Sequence, residues 1–424
     1  MPNKEIDCEF QFHNVGQGLF YTGSIGDFRF IYDCGSLPMA WAHKAVSNYL
    51  DALTIDNEKV KPVINLLVLS HLDLDHVSGI DNLLCNTEIK IALIPYTSPL
   101  ERLLLAVRHS SIPLWYQELL YDPVQFFINR DVELVVLLAP NNSKIIDLQP
   151  KTIDKDHASI HLEDLPEEDR ERILQEDNNW RKYQEEGRFV LSSDRCVIKA
   201  KDIWEFNFWC HFIDKNSLEA FNIGVEYISG GKGAKNLLDS IRGNRKKLKG
   251  LQQCYRKCIM GDINLTSLIL YHEPLDCSFS SMRIYSKYYI PGNNVTDQLL
   301  LMNCENNSCE YMLAAAISHN LPYGQMLTGD LNFAYRYEEF RCKMHDKIEK
   351  AIIWLVPHHG SKNSWNSALL RDANHCKLWV VSAGLGNRYK HPHRAVIEDI
   401  LSKGRAFCWS NEYSRVIIKF NFAT

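Results

Sequence analysis

The chain reads as an α/β protein, and three observations predict it. Short continuous apolar runs such as Val63–Leu69 (VINLLVL) recur along the sequence, as expected of strands covered on both faces. Amphipathic stretches of helical length stand between them. The runs end in polar turns that carry His and Asp. A sheet with helices on its outer faces and polar residues gathered at the strand ends is the natural assembly.

The opening reads as a β-meander. Cys8–Asn14 contains an apolar/polar alternation, Gly16-Gln17-Gly18 breaks it, and Phe28–Tyr32 runs into Asp33-Cys34-Gly35. Met39–Leu53 is amphipathic and predicts a helix. Val63–Leu69 then leads directly to Ser70-His71. Ile91–Ile94 and Val132–Leu138 repeat the strand pattern, with helices predicted over Ser98–His109 and Pro113–Asn129 between them. From about Asn141 to Gly187 the chain turns polar and acidic (EDLPEEDRERILQEDNNW), which reads as an insertion at 141–187 with a solvated charged surface. Strand-like patterns return at Phe189–Ala200 and Trp204–Ile213. A second insertion, 275–320, precedes the strand that ends in Gly329-Asp330. Its Tyr285, Tyr288 and Tyr289 beside Arg283 and Lys287 fit aromatic strand packing, or stacking on a nucleic-acid strand. The core domain is thus 1–140 with 188–424.

Composition narrows the function classes. With 46% hydrophobic and 23% charged residues in 424, the chain is globular rather than disordered or fibrous. No apolar run approaches the roughly 18 residues that span a bilayer. The start, MPNKEIDCEF, lacks a signal-peptide core, so a cytoplasmic protein without membrane partners is expected. Thirteen Cys with no C-x-x-C pair fit reduced, packed thiols. A net charge of −5 argues against a strongly basic nucleic-acid coat. Gly230–Lys257 is the local exception: nine Lys and Arg, with Arg245, Lys246, Lys247 and Lys249 at its centre, face one acid, Asp239. These four are candidate nucleic-acid-binding residues on a helix anchored by Leu237, Leu238, Ile241, Leu248 and Leu251; an ordinary exposed helix face is the other reading.

The strongest chemical signal is His71-Leu72-Asp73-Leu74-Asp75-His76, four metal-capable side chains in six residues just after a buried strand. A tight turn there lets His71 and Asp73 address one ion and Asp75 and His76 a second, a pair able to share a bridging hydroxide. Matching pieces recur at later strand ends: Gly329-Asp330, Pro357-His358-His359-Gly360-Ser361, and Ser382 through Asn387, Tyr389, His391 and Pro392. Four junctions of one type point to one shared site.

H-x-D-x-D-H at 71–76 resembles the signature loop of the metallo-β-lactamase superfamily. With Val15–Gly18 (VGQG), Asp33, the GD at 329–330, PHHGS at 357–361, S-x-G-x-x-N-x-Y-x-H-P at 382–392 and Asn264-Leu-Thr-Ser267-Leu-Ile-Leu270, the chain resembles one subgroup. That subgroup is the soluble hydrolase domain of ComEC-type DNA-internalisation proteins. The resemblance implies a four-layer αββα sandwich. It implies His71, Asp73, Asp75, His76, Asp330 and one of His358 and His359 as metal ligands, and Asp33, Gln17 and Asn264 as supports behind them. Asp75, Asn387 and His391 are implied as catalytic, His391 as a proton donor. It also implies one or two divalent ions, Zn²⁺ or Mn²⁺ given the carboxylate-rich set. Asn14 and Leu19 stand where the family often has carboxylates, and its middle His ligand has no counterpart. The activity implied is phosphodiester hydrolysis of DNA or RNA by metal-bound hydroxide. A small-molecule hydrolase (lactone, thioester or cyclic nucleotide) and an effector of a bacterial defence system, meeting a protein partner through the insertions, are the alternatives.

Overall fold

The computed structural model describes residues 5–53, 60–109, 112–140, 150–155, 158–175, 179–194, 196–213, 215–241, 244, 248–253, 266–275, 278–286, 289–290, 311–315 and 323–423. Two ten-stranded sheets dominate it. From edge to edge the first runs Tyr311–Ala315, Ser278–Ser286, Val416–Ala423, Glu5–Phe12, Phe20–Ile25, Phe28–Cys34, Val63–Val68, Glu88–Pro95, Leu134–Ala139 and Phe189–Ser193. The second runs Tyr289–Ile290, Ala406–Ser410, Leu378–Ser382, Ala351–Leu355, Gly324–Leu327, Ser267–Pro274, Trp204–His211, Val197–Ala200, Ala158–Glu163 and Pro150–Lys155.

Alternation within strands builds the layers. In Glu88–Pro95, Ile91 and Leu93 enter the core between the sheets, while Ala92 and Ile94 join the core under the outer helices. Leu134, Val136 and Leu138 split from Val135, Leu137 and Ala139 in the same way. On the second sheet Leu378 and Val380 face the first, whereas Trp379 and Val381 pack outward under Phe333–Lys350 and Arg394–Ser402. Three cores between four layers make the αββα sandwich. Among the described residues no helix is long and apolar enough to cross a membrane.

Several predicted elements change on folding. The helix predicted over Pro113–Asn129 is two, Leu114–Tyr121 and Pro123–Ile128. Pro123 has no N–H to continue the first, and Asp122 caps the second by accepting from Gln125 N at 2.9 Å. Phe189–Ala200 is also two strands, and they lie in different sheets: Phe189–Ser193 closes the first and Val197–Ala200 pairs in the second. The acidic stretch supplies the last two strands of the second sheet, Ala158–Glu163 and the edge strand Pro150–Lys155, and the helices Glu167–Gln175 and Asn179–Glu185. Trp180 in it is buried, its indole donating to Asp122 at 3.0 Å. In the second insertion Ser278–Ser286 pairs with Val416–Ala423, and Tyr289–Ile290 with Ala406–Ser410. Tyr285 there is half-buried, with Lys419 over its ring at 6.0 Å, and Tyr288 falls outside the described residues.

The strands flanking the site are parallel: Phe28–Cys34, Val63–Val68, Glu88–Pro95 and Leu134–Ala139 in one sheet, Gly324–Leu327 through Ala406–Ser410 in the other. Their carboxyl ends therefore open on the same side, where α/β sheets place ligands.

Candidate metal centre

The loop after Val63–Val68 turns at once into a short helix, Leu74–Val77, with Asp73 as its cap. Two glycine motifs press against it. A Cβ on Gly18, which has φ 145°, would fall 2.5 Å from the Asp75 carbonyl oxygen. One on Gly35 would lie 2.4 Å from the His76 carbonyl carbon. VGQG and DCG are thus glycine-bearing because the loop backbone lies on them.

Asp33 is buried beneath this loop in the left-handed region (φ 57°). Its Oδ1 accepts from Ser70 N at 2.6 Å; its Oδ2 accepts from Ser70 Oγ at 2.5 Å and from His76 Nδ1 at 2.8 Å. The Ser70 hydroxyl, having given its proton to Asp33, accepts from His71 Nδ1 at 2.8 Å. One carboxylate thereby sets the tautomer of both histidines and leaves each Nε2 lone pair facing outward, the arrangement that supports metal-ligating His. His359 reaches the same state from the opposite sheet by donating from Nδ1 to the Ser382 carbonyl at 2.8 Å.

These atoms converge. His71, His76 and Asp330 form one group, and Asp75, His76 and His359 another, each with ligand atoms within 4.8 Å of one another. Asp330 Oδ1 lies 3.3 Å from His76 Nε2 and 3.6 Å from His359 Nε2, between the two sheets' contributions. Asp75 Oδ2 lies 3.6 Å from His359 Nε2. Nε2 of His76 and of His359 are buried and have no hydrogen-bond partner among the described residues. Buried nitrogens of this kind are paired in folded proteins unless something else takes the lone pair. A hollow of about 10 Å³ lies among His76, Asp330 and His359, space for one water-sized sphere. Imidazole and carboxylate donors so arranged fit a divalent ion.

Of the two late histidines, the geometry brings in His359. His358 lies outside both groups, its Nδ1 2.9 Å from Ser364 Oγ and its Nε2 3.8 Å from Asp330 Oδ2. Both hold positive φ, 47° and 55°, a strained pair of the kind found at functional sites. Asp73 also stands apart. Its Oδ1 accepts from Leu74 N at 2.8 Å and faces His109 Nε2 at 3.0 Å, and its Oδ2 accepts from Arg108 Nη1 at 2.8 Å. The predicted partnership of His71 with Asp73 on one ion is not the one the side chains adopt, because Asp73 is turned to the Arg108 guanidinium and the His109 ring.

Two further expectations change. The Asn387 side chain is spent on its own loop: Nδ2 donates to the Gly384 and His391 carbonyls at 2.5 Å each, and Oδ1 accepts from His391 N at 2.9 Å. It braces the loop that carries His391. Burial, with His359 and His358 nearby, pulls His391 down to about 4, so in the free protein at pH 7 it is a neutral imidazole with one ring N–H rather than a charged imidazolium acid. Its Nδ1 is buried without a partner among the described residues. Gln17 lines the site with a buried Oε1 that has no partner among the described residues. Arg245, Lys246, Lys247 and Asn264 lie outside the described residues, and Lys249 is exposed on the short helical turn that follows them.

Electrostatics bind the cluster together. Burial lowers His76, but Asp330 and Asp33 outweigh it and hold it well above the usual imidazole range. His359 is likewise raised, burial being outweighed by Asp330 and Asp75. Burial raises Asp330, yet His359, His358 and His76 bring it well below the ordinary carboxylate range.

The centre floors a cleft of about 510 Å³ whose walls include Gln17, Arg108, His109, Thr266, Ser267, Arg388, Tyr389 and His391. Motif reading missed Ser70, Arg108, His109 and Ser267. Ser70 stands beside the signature, but its relay to Asp33 becomes visible only when two strands pair. Arg108 and His109 carry no motif at all.

No protein-family model matches the chain, and no curated protein matches it. Among solved structures it is similar to the metallo-beta-lactamase fold protein YhfI from Bacillus subtilis, at 8% identity over 96% of this chain and 98% of that one, with a TM-score of 0.35. It is similar to the chemotaxis sensor ODP in a peroxy diiron form, at 19% identity over 37% and 48% of the two chains (TM-score 0.19). It is also similar to a protein of unknown function from Enterococcus faecalis V583, at 14% identity over 38% and 41% (TM-score 0.15).

Proposed function

We propose that the chain is a metal-dependent hydrolase that cleaves phosphodiesters of DNA or RNA. The observation that carries this reading is the convergence of two buried, unpartnered imidazole nitrogens, His76 Nε2 and His359 Nε2, with the Asp75 and Asp330 carboxylates on the floor of the cleft. Asp75, His76, His359 and Asp330 would hold a divalent ion, Zn²⁺ or Mn²⁺, with His71 alongside. Such an ion, when bound, lowers the pKa of water and polarises a phosphoryl oxygen.

The chain's own groups do the rest. Asp33 and Ser70 keep the histidine lone pairs aimed at the site. Arg108 and Arg388 on the cleft wall attract and orient an anionic substrate. His391, neutral at pH 7, offers a ring N–H to the leaving oxygen or accepts a proton. Tyr389 is 53% exposed at the rim, with the Arg388 guanidinium 4.7 Å from its ring centre, a platform suited to a flanking base.

The test is cleavage of single- and double-stranded DNA and RNA with Mn²⁺, Zn²⁺ and Mg²⁺ each supplied. Wild type is expected to cut at least one polymer, and the Asp75→Ala, His76→Ala double variant none; a folded wild type inactive on all of them overturns the proposal. The cleft volume favours one second reading, since about 510 Å³ suits a small ligand as well. Hydrolysis of a cyclic nucleotide, lactone or thioester with the polymers left intact would support that reading instead.

A further inference from the structure

Resting on the metal-centre reading above, we infer that the centre takes one divalent ion, because Arg108 and His109 capture Asp73 and put a protein cation in the second half-site. The two halves of the His71–His76 loop are treated differently by the fold. On one side Asp75, His76 and His359 converge, and Nε2 of each histidine has no hydrogen-bond partner among the described residues. On the other, both Asp73 oxygens are engaged by Arg108, His109 and the Leu74 amide at 2.8–3.0 Å, and Asp73 belongs to neither convergent group.

The capture is built in from several directions. Arg108 is the last residue of the helix Pro99–Arg108 and His109 its C-cap, where the helix end favours cationic side chains. Gln252 Nε2 donates to the His109 carbonyl at 2.6 Å. The His109 ring meets Tyr116 edge-on at 6.2 Å, and the Tyr116 hydroxyl donates to the Leu72 carbonyl at 2.9 Å. Cation and loop are therefore tied to each other through Tyr116 as well as through Asp73. The three side chains are only 16–21% exposed, so water screens them poorly. From the opposite sheet Ser267 brings to the cleft wall only a neutral hydroxyl, buried and without a partner among the described residues.

The two convergent groups share His76, whose Nε2 can serve one ion, so a second divalent ion beside His71 would be left with His71 and Asp330 unless it broke the charge-assisted Arg108–Asp73 bond and sat against the guanidinium. With Asp73 held, Arg108 itself supplies positive charge to the cleft, the part a second ion plays in two-metal sites.

The test is the stoichiometry of Mn²⁺ bound to the metal-free full-length chain, read by titration calorimetry and by elemental analysis after gel filtration. Wild type is expected to bind one ion. Asp73→Asn, which keeps the capping acceptor, is expected to bind the same single ion with affinity within about threefold of wild type. Arg108→Gln with His109→Gln, which frees Asp73, is expected to gain a second, weaker ion while keeping the first; retention of the first ion reports that the fold is intact. Two ions on wild type, a loss of the ion in Asp73→Asn, or no gain in the double variant each overturns the inference and leaves the hydrolase reading standing. No ion on wild type overturns both.

Discussion

Replacing Asp33 by Asn should disable the centre without touching a ligand. The side chain keeps its volume, and Asn tolerates the left-handed backbone that Asp33 adopts (φ 57°), so no backbone strain is introduced. Ser70 N at 2.6 Å from Oδ1 requires a carbonyl there, which places the new amide nitrogen where Oδ2 meets Ser70 Oγ at 2.5 Å and His76 Nδ1 at 2.8 Å. An N–H then faces an N–H at His76. Relief comes if His76 moves its proton to Nε2, which closes the lone pair meant for the ion. The Ser70 hydroxyl must turn from donor to acceptor towards residue 33, freeing its proton for His71 Nδ1 and driving the same tautomer change there. Loss of one such partner weakens metal affinity by about 10–100-fold, and with two histidines affected about 100-fold or more is expected, or about 2.8 kcal/mol. Titration of metal-free protein with Mn²⁺ measures this directly. The rise of thermal stability with ion concentration checks it, since that stabilisation follows RT ln(1 + [L]/Kd). Ion affinity within threefold of wild type in a folded Asp33→Asn protein would refute the relay.

The pH dependence follows from His76 and His359, both raised once burial is outweighed by Asp330 with Asp33 or Asp75. Because their folded values lie above the ordinary imidazole value, the stability they lend the metal-free protein is full below about pH 6.5 and is lost as pH rises through the raised values. An ion must displace those protons, so Mn²⁺ affinity is expected to rise between pH 6 and 8 with proton release, read by calorimetry in buffers of different ionisation heat. Glu101 is buried and pushed up to about 7 by that burial, against hydrogen bonds from Thr266 N and Oγ1 at 2.9 and 3.1 Å. As an acid with a raised folded value it destabilises the protein as pH rises from about 4.5 through 7, so Glu101→Gln should gain about 1–3 kcal/mol at pH 8 and little at pH 5, measured by urea unfolding. Tyr389→Ala should raise KM for an oligonucleotide about 5–10-fold, with kcat unchanged, if the exposed ring stacks a base; steady-state kinetics with a cyclic mononucleotide as control decides it.

Much of the fold was legible because strands buried on both faces must be continuously apolar and amphipathic helices must keep one apolar stripe. Val63–Leu69 and Leu378–Ser382 declared themselves in that way, and each led to a residue of the site. Legibility failed where local pattern and tertiary placement separate. Phe189–Ala200 shows one strand-like pattern, yet its halves join different sheets, a choice made by pairing partners far along the chain.

The candidate ligands were visible as residue types, since His and Asp repeated at strand ends can gather around an ion, and His71, Asp75, His76 and Asp330 do gather. What the sequence by itself determined is therefore the layered architecture and the inventory of metal-capable groups. The tertiary structure alone decided how they are used: His359 rather than His358 turns inward, Asn387 braces a loop, and Asp73 faces Arg108 and His109. The physical reason is that a ligand's availability depends on what else holds its lone pairs. Those competitors (Arg108, His109 and the Ser382 carbonyl) come from other strands and helices, at separations that no local motif records.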